Sequence, residues 1–179
     1  MDDPSEEVLA EAMNTVERND LTFREERARR MIWASSLPKA PGMVMGRFEQ
    51  LHLAEEARWC YIDGRYAATV MISYAVIEHS LDEIAEAFIG TRSSKKGQTS
   101  IDVCREASLL DNDLLDQADR VREVRNALGH YKPEANPHRA VNRSRDKNIS
   151  PQVMLQEDAK DALKVAMSMF VATLRPAEF

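Results

Sequence analysis

Glycine and aromatic residues are scarce in this chain of 179 residues, which has 6 glycines and only 6% aromatic residues. Together with an apolar fraction of 44%, this composition is typical of a helical globular protein and disfavours an all-β or a disordered chain. A chain of this length is most simply one domain with a sizeable core, to which an arm could be attached.

Long apolar runs are also missing, because no stretch approaches the roughly 20 residues that are needed to cross a bilayer. The acidic beginning of the chain, Asp2-Asp3-Pro4-Ser5-Glu6-Glu7, is the opposite of the basic start of a secretory signal. We therefore expect a cytoplasmic protein that has no membrane partner.

Cysteine is almost absent. Cys60 and Cys104 lie far apart, and neither has another cysteine or a histidine at metal-ligand spacing. We expect two buried free thiols, no metal site and no cofactor. The net charge of −6 argues against indiscriminate binding of nucleic acid over the whole surface, although a local basic patch remains compatible with it.

Apolar residues recur at helical spacing along most of the chain, and no segment alternates as a strand would. The pattern predicts helices over residues 43–62, 65–89, 100–109 and 112–130, and a last helix that begins at Ser150-Pro151. Residues 132–149 are predicted to be a loop. We therefore expect an all-α fold, an antiparallel four- to five-helix bundle over residues 43–179.

Residues 1–42 are predicted to form an N-terminal helical arm attached to this bundle. An acidic helix begins at Pro4 and is broken at Asn19-Asp20, and Thr22 with Glu25 resembles the capping box of a second, basic helix. We expect the basic helix to pair with the acidic one within the same chain.

An arginine interrupts the apolar face of the helix predicted over residues 112–130. Steps of three and four residues place five positions on that face: Leu114, Ala118, Val121, Arg125 and Leu128. An unpartnered guanidinium at such a position costs on the order of several kcal/mol. Arg125 must therefore pair with a carboxylate, line a cleft or bind an anion.

Two further polar residues follow Arg125 toward the end of the same helix. Asn126 and His130 are four residues apart and share a face. Gly129 and Pro133 indicate that the helix frays here, so His130 is expected on its terminal turn. An arginine, an amide and an imidazole are thus predicted to gather at one helix end.

The segment Arg125-Asn126-Ala127-Leu128-Gly129-His130 resembles the Arg-polar-x-x-x-His motif of HEPN domains. The resemblance covers roughly residues 43–175 and includes a helical bundle of this size. It implies a metal-independent endoribonuclease whose catalytic residues are Arg125, Asn126 and His130. It also implies a homodimer in which two motifs face each other across a cleft, and a role as a toxin or defence effector for which an antitoxin protein would be a partner.

The residue types suit RNA cleavage by the ribose 2′-hydroxyl. Arg125 could hold a phosphate oxygen, and His130 could take or return a proton near neutral pH. Asn126 could orient the imidazole or donate to the phosphate. In a structural alternative, Arg125 pairs with Glu78 of the second long helix and His130 caps carbonyls at its helix end. Both arrangements could coexist, with Glu78 supporting the guanidinium.

The spacing between arginine and histidine is weak evidence by itself, because it also occurs elsewhere in this chain by chance. Arg47-Phe48-Glu49-Gln50-Leu51-His52 has the same arginine-to-histidine spacing, but Phe48 follows the arginine and the segment lies near the start of a helix. We interpret it as part of a solvated helix face.

The residues directly after the motif are candidates for supporting roles. In some HEPN toxins a tyrosine two residues after the histidine receives AMP, but here Lys132 holds that place, so we expect Tyr131 to support the site by packing. The predicted loop carries four cations that could hold RNA phosphates: Arg139, Arg143, Arg145 and Lys147. A merely solvated basic loop is the alternative.

Three functional hypotheses follow. The first is a HEPN-type endoribonuclease that acts on RNA as a homodimer. The second is a non-catalytic helical module that binds a protein or a nucleotide, in which Arg125 is structural. The third is a regulator that uses the basic helix from Arg24 to Arg30 on nucleic acid.

Overall fold

The computed structural model describes residues 4–39, 48–90 and 97–174, and every regular element in these ranges is a helix. The all-α prediction is therefore confirmed. The chain divides into two compact units, one up to Ser36 and one from Leu37. The domain boundary expected at residues 42 and 43 lies outside the described residues. None of the described helices is long and apolar enough to cross a membrane.

The first unit is a single helix, α1, from Glu6 to Ser35. The prediction of two helices that pair within the arm is wrong, because α1 continues through Asn19 and Asp20. Asp20 forms ion pairs with Arg24 and Arg27, which offset its weak helical preference. The Thr22 hydroxyl donates 2.9 Å to the carbonyl of Arg18, as inside a helix, and does not cap a new one.

The second unit contains six helices in the described residues: α2 (Phe48–Ile62), α3 (Tyr66–Ile89), α4 (Ser100–Glu106), α5 (Asn112–Gly129), α6 (Ala140–Lys147) and α7 (Pro151–Ala172). The central helix is α3, which packs against α2, α4, α5 and α7. Its side chains Val70, Ile77 and Leu81 are fully buried, as are Leu163 and Met169 of α7. The expected start of α2 at residue 43 lies outside the described residues.

The end of α3 and the start of α7 lie at the residues that the sequence predicts. Gly90 ends α3 with a left-handed backbone at φ 72°, a conformation that costs glycine little. The Ser150 side chain accepts from the N–H of Val153, and Pro151 occupies the first turn of α7.

The helix α6 lies inside residues 132–149, so the prediction that this whole segment is a loop is wrong. Its sequence has almost no apolar side chains that could mark a helical period. The ion pair between Arg143 and Asp158 of α7 instead anchors the helix, together with the buried side chain of Ser144. Tertiary contacts therefore determine a helix that hydrophobic periodicity does not reveal.

The two cysteines are free thiols in different environments. Cys104 is fully buried, and burial with the nearby charge of Asp82 raises the pKa of its thiol to about 11. Cys60 is half-buried, so the prediction that both thiols are buried is confirmed only for Cys104.

Candidate active site at the end of α5

The helices α3 and α5 run antiparallel and approach closely near Gly129. A Cβ atom at Gly129 would lie 3.3 Å from the Cε of Met71, a tighter distance than most real contacts of this kind. One turn further along α3, Tyr74 lies opposite Arg125. The last turns of α5 therefore lie against α3, and this contact positions the segment from Arg125 to His130.

The guanidinium of Arg125 lies over an aromatic ring. Its Cζ is 4.2 Å from the centre of the Tyr74 ring, and its Nη1 donates 3.0 Å to Oδ1 of Asn126. Its Nη2 is 3.9 Å from Oε1 of Glu78, which is an ion pair but too long for a hydrogen bond. The side chain is 22% exposed. A guanidinium has five N–H donors, so several remain for a ligand.

Tyr74 is the residue of this cluster that sequence reasoning missed as part of the site. It is buried, and burial together with the negative charge of Glu78 raises the pKa of its phenol, while the charge of Arg125 opposes this effect. The phenol is therefore neutral at physiological pH and offers Arg125 a ring face. Its position one turn before Glu78 on the apolar stripe of α3 was the available signal.

His130 is the first residue after α5, and its backbone is extended, with φ −130° and ψ 142°. Its N–H donates 3.2 Å to the carbonyl of Asn126. The imidazole is exposed and donates to no carbonyl in the described ranges, so the capping role considered for it is not seen. Asn126 therefore contacts both other members of the motif, by its side chain to Arg125 and by its backbone to His130.

Tyr131 is 92% exposed, so the prediction that it packs is wrong. The chain leaves α5 at His130 in an extended conformation and carries the next side chain beyond the contact between α5 and α3. Its ring is exposed to solvent, and it directly follows His130 in the sequence.

The four predicted RNA-binding cations fall into two pairs. Arg143 binds both carboxylate oxygens of Asp158, with Nη2 at 2.6 Å from Oδ2, and its Nε donates 3.1 Å to the carbonyl of His138. Lys147 donates 2.8 Å to Glu157, a bond that raises the pKa of its ammonium group. Arg139 and Arg145 form no ion pair with a described residue. Only this second pair has unengaged charge.

A groove of about 440 Å³ lies between α5, α6 and α7, and Arg125 is not among its lining residues. Its charged lining residues are of both signs: Arg120, Arg143, Lys147, Lys164, Asp146, Asp158 and Asp161. The groove therefore lacks the uniformly positive lining that a phosphate backbone favours.

The earlier copy of the spacing is only partly described, because Arg47 lies outside the described residues. The ring of His52 meets Phe48 edge to face, with 4.2 Å between ring centres. The described contacts of His52 include no amide and no guanidinium, unlike the cluster of Arg125, Asn126 and His130.

No three histidine, cysteine or carboxylate side chains gather in the described ranges in a way that could hold a metal ion. No family model matches the chain, and comparisons with curated proteins and with solved structures also give no match.

Proposed function

We propose that this protein is a metal-independent endoribonuclease of the HEPN type. The observation that carries the proposal is the environment of Arg125. Its guanidinium is stacked on Tyr74 and bonded to Asn126, and it lies too far from Glu78 for a hydrogen bond. A purely structural arginine on a core face would be expected to have a close carboxylate partner. Arg125 is instead held in place with donors left for an anion.

The proposed reaction is a transesterification within the RNA strand. The ribose 2′-oxygen forms a bond to the phosphorus as its proton passes to a base, and the bond from phosphorus to the 5′-oxygen breaks as that oxygen receives a proton. The products are a 2′,3′-cyclic phosphate and a 5′-hydroxyl. DNA cannot react in this way because it lacks the 2′-hydroxyl.

Each residue of the motif has a role in this reaction. Arg125 binds non-bridging phosphate oxygens and offsets the charge that builds up at phosphorus. His130 moves the proton, for which its exposed imidazole is accessible. Asn126 positions the guanidinium through its side chain. Glu78 supports Arg125 from α3 at 3.9 Å, and Arg139 and Arg145 bind flanking phosphates.

We expect the active form to be a homodimer in which two motifs share a substrate, as the resemblance implies. No described contact joins the imidazole of His130 to Arg125 of the same chain, which is compatible with one phosphate being held by two copies. Mixing the inactive variants Arg125→Ala and His130→Ala tests this: recovered cleavage supports a shared site, and its absence after subunit exchange contradicts it.

The test of the activity is cleavage of a mixed RNA substrate in the presence of EDTA. Cleavage should persist and should be lost in Arg125→Ala and in His130→Ala, with folding checked by circular dichroism. Arg120→Ala, which changes an exposed arginine of the same helix, and His52→Ala are matched controls that should remain active. A substrate with 2′-deoxyribose throughout should stay intact.

The competing function is a non-catalytic module that binds a protein or a nucleotide. In such a module, the contacts of Arg125 with Tyr74 and Glu78 would serve only to hold α5 against α3. Intact RNA, together with a fall in melting temperature as the main effect of Arg125→Ala, would support this module and contradict the nuclease.

A toxin or defence role is part of the same proposal. Expression of the wild-type chain should slow the growth of a host cell, whereas expression of His130→Ala should not. Relief of the growth defect by a co-expressed neighbouring protein would identify an antitoxin, and a wild-type chain that leaves growth unchanged would contradict the toxin role.

A further inference from the structure

The imidazole of His130 is held by no contact of its own with a described residue. It is exposed, and only the backbone N–H of His130 is bonded, to the carbonyl of Asn126. The position of the ring is therefore set by the backbone, which the end of α5 fixes on one side. On the other side the chain continues into residues 131–139, which join α5 to α6 and which we call the connecting segment.

The connecting segment contains two consecutive turns that begin close to His130. The N–H of Asn136 donates 3.0 Å to the carbonyl of Pro133, and the N–H of Arg139 donates 3.3 Å to the carbonyl of Asn136. Bonds between residues three apart are those of tight turns. Because only two residues separate His130 from Pro133, a contact that holds the first turn also limits where His130 can lie.

A side chain of α6 holds the first of these turns. The Nδ2 of Asn142 donates 2.6 Å to the carbonyl of Glu134 and 2.8 Å to the carbonyl of Asn136. An amide nitrogen has two N–H donors, and both are used on this one turn. Carbonyls of an irregular segment have no partner from a regular helix, so Asn142 supplies the partner instead.

The helix α6 is itself fixed next to Asn142. The following residue, Arg143, binds the buried carboxylate of Asp158 on α7, and its Nε donates 3.1 Å to the carbonyl of His138. The imidazole of His138 lies 3.9 Å from the carboxylate of Glu123 on α5. The connecting segment is thus attached to α7 through Arg143, and it returns to α5 through His138.

We propose that Asn142 is a positioning residue for His130, because it fixes the turn that follows the imidazole along the chain. The inference rests on the proposed nuclease activity and adds to it a residue of α6 that forms no described contact with the motif. A base must lie within hydrogen-bond reach of the proton that it takes. An exposed imidazole meets this requirement when its backbone is held both before it, by α5, and after it, by Asn142.

The first experiment compares Asn142→Ala with Val141→Ala. Val141 precedes Asn142 in the same turn of α6, and its side chain is 39% exposed. The kcat of Asn142→Ala for RNA cleavage should fall about tenfold to hundredfold, with KM changed less than about threefold, since a misplaced imidazole slows the reaction while the phosphate contacts persist. Val141→Ala should keep both wild-type constants. A wild-type kcat in Asn142→Ala would overturn the proposal.

Hydrogen exchange separates positioning from a general loss of fold. In Asn142→Ala the N–H groups of Asn136 and Arg139 should exchange about tenfold faster, because the bonds that hold their turns are lost. The N–H groups inside α5 should keep their wild-type rates. Faster exchange throughout α5 would mean that the variant loosens the bundle, and unchanged exchange in the connecting segment would mean that Asn142 does not hold it; either result contradicts the proposal.

The variant Asn142→Asp removes the two donated bonds while it keeps the size of the side chain. An ionised carboxylate has no N–H to donate and would face two carbonyl oxygens. Its kcat should fall at least as far as that of Asn142→Ala. A wild-type kcat in Asn142→Asp would show that these bonds do not position His130.

The outcomes also distinguish this inference from the nuclease on which it rests. If the wild type cleaves RNA and Asn142→Ala cleaves it equally well, the nuclease stands and the positioning role is wrong. If the wild type leaves RNA intact, the nuclease is contradicted and the positioning role with it, whereas the exchange rates still report whether Asn142 holds the turn.

Discussion

At the residue scale, Arg125 shows both the reach and the limit of sequence reasoning. Its place on an apolar face predicts that it needs a partner, and Glu78 was the carboxylate expected to meet it. Glu78 lies within ion-pair distance, at 3.9 Å from Nη2, but the guanidinium also donates 3.0 Å to Asn126 and lies over the ring of Tyr74, whose centre is 4.2 Å from Cζ. Which turn of α3 faces which turn of α5 depends on packing between the helices, and the sequence does not specify that register.

The stacking of Arg125 on Tyr74 leads to a first prediction. Tyr74→Leu fills a similar core position but removes the aromatic face, a contact worth about 0.5 to 2 kcal/mol. RNA cleavage should fall about threefold to thirtyfold, as measured by the initial rate of product formation. Tyr74→Phe retains the ring and should cleave at nearly the wild-type rate. Equal rates in both variants would show that the ring does not position Arg125.

At the element scale, helices with an apolar period were predictable and helices held by polar contacts were not. The helix α7 begins at Ser150-Pro151 as expected, because its cap and its period agree. The helix α6 was missed, since its anchor is an ion pair to another helix. The break expected in α1 at Asn19-Asp20 is bridged by ion pairs that single-residue preferences do not include.

The anchor of α6 gives a second prediction. Asp158 is 5% exposed at its side chain, so Arg143→Ala leaves a buried carboxylate without its partner. The free energy of unfolding in urea should fall by about 3 kcal/mol or more. Arg145→Ala, on the exposed side of the same helix, should stay within about 0.5 kcal/mol of the wild type. A small effect of Arg143→Ala would instead indicate that this cation is available for RNA.

The start of α4 gives a third prediction. Thr99 and Asp102 form a capping box, and the bonds from Thr99 lower the pKa of the Asp102 carboxyl. Because the pKa is lowered in the folded state, this stabilisation is fully present at pH values above the ordinary pKa of an aspartate. It is lost as the pH falls through the lowered pKa of Asp102. Thr99→Ala should cost about 1 kcal/mol at neutral pH.

The pH dependence supplies the control for this cap. The difference in melting temperature between Thr99→Ala and the wild type should shrink as the pH falls below the ordinary aspartate pKa of about 4 and through the lowered pKa of Asp102. A difference that is constant from acid to neutral pH would mean that Asp102 contributes nothing to the cap.

At the scale of the whole molecule, the acidic net charge leaves few cations for RNA. Arg143 and Lys147 are engaged by carboxylates of α7 and Arg125 pairs with Glu78 at 3.9 Å, whereas Arg139 and Arg145 form no ion pair with a described residue. The sequence predicted a basic segment after the motif but not which of its cations are neutralised, because their partners lie on α7.

This charge distribution gives a fourth prediction. With about three phosphate contacts per site on single-stranded RNA, the logarithm of the binding constant should fall with the logarithm of the salt concentration with a slope of about −2. Fluorescence anisotropy with a labelled RNA and His130→Ala protein measures it without cleavage. A slope several times steeper would mean that Arg143 and Lys147 leave their ion pairs to bind phosphate.

The contact between Gly129 and Met71 has a consequence for how tolerant the end of α5 is to change. The methyl group of Met71 lies 3.3 Å from the place where a Cβ of residue 129 would stand, so it must shift by a few tenths of an ångström before a side chain fits there. A side chain too large for the exposed Met71 thioether to accommodate by shifting would push the last turn of α5, and Arg125 with it, away from Tyr74. The close approach that holds Arg125 over its ring thus depends in part on the one residue of the motif that has no side chain.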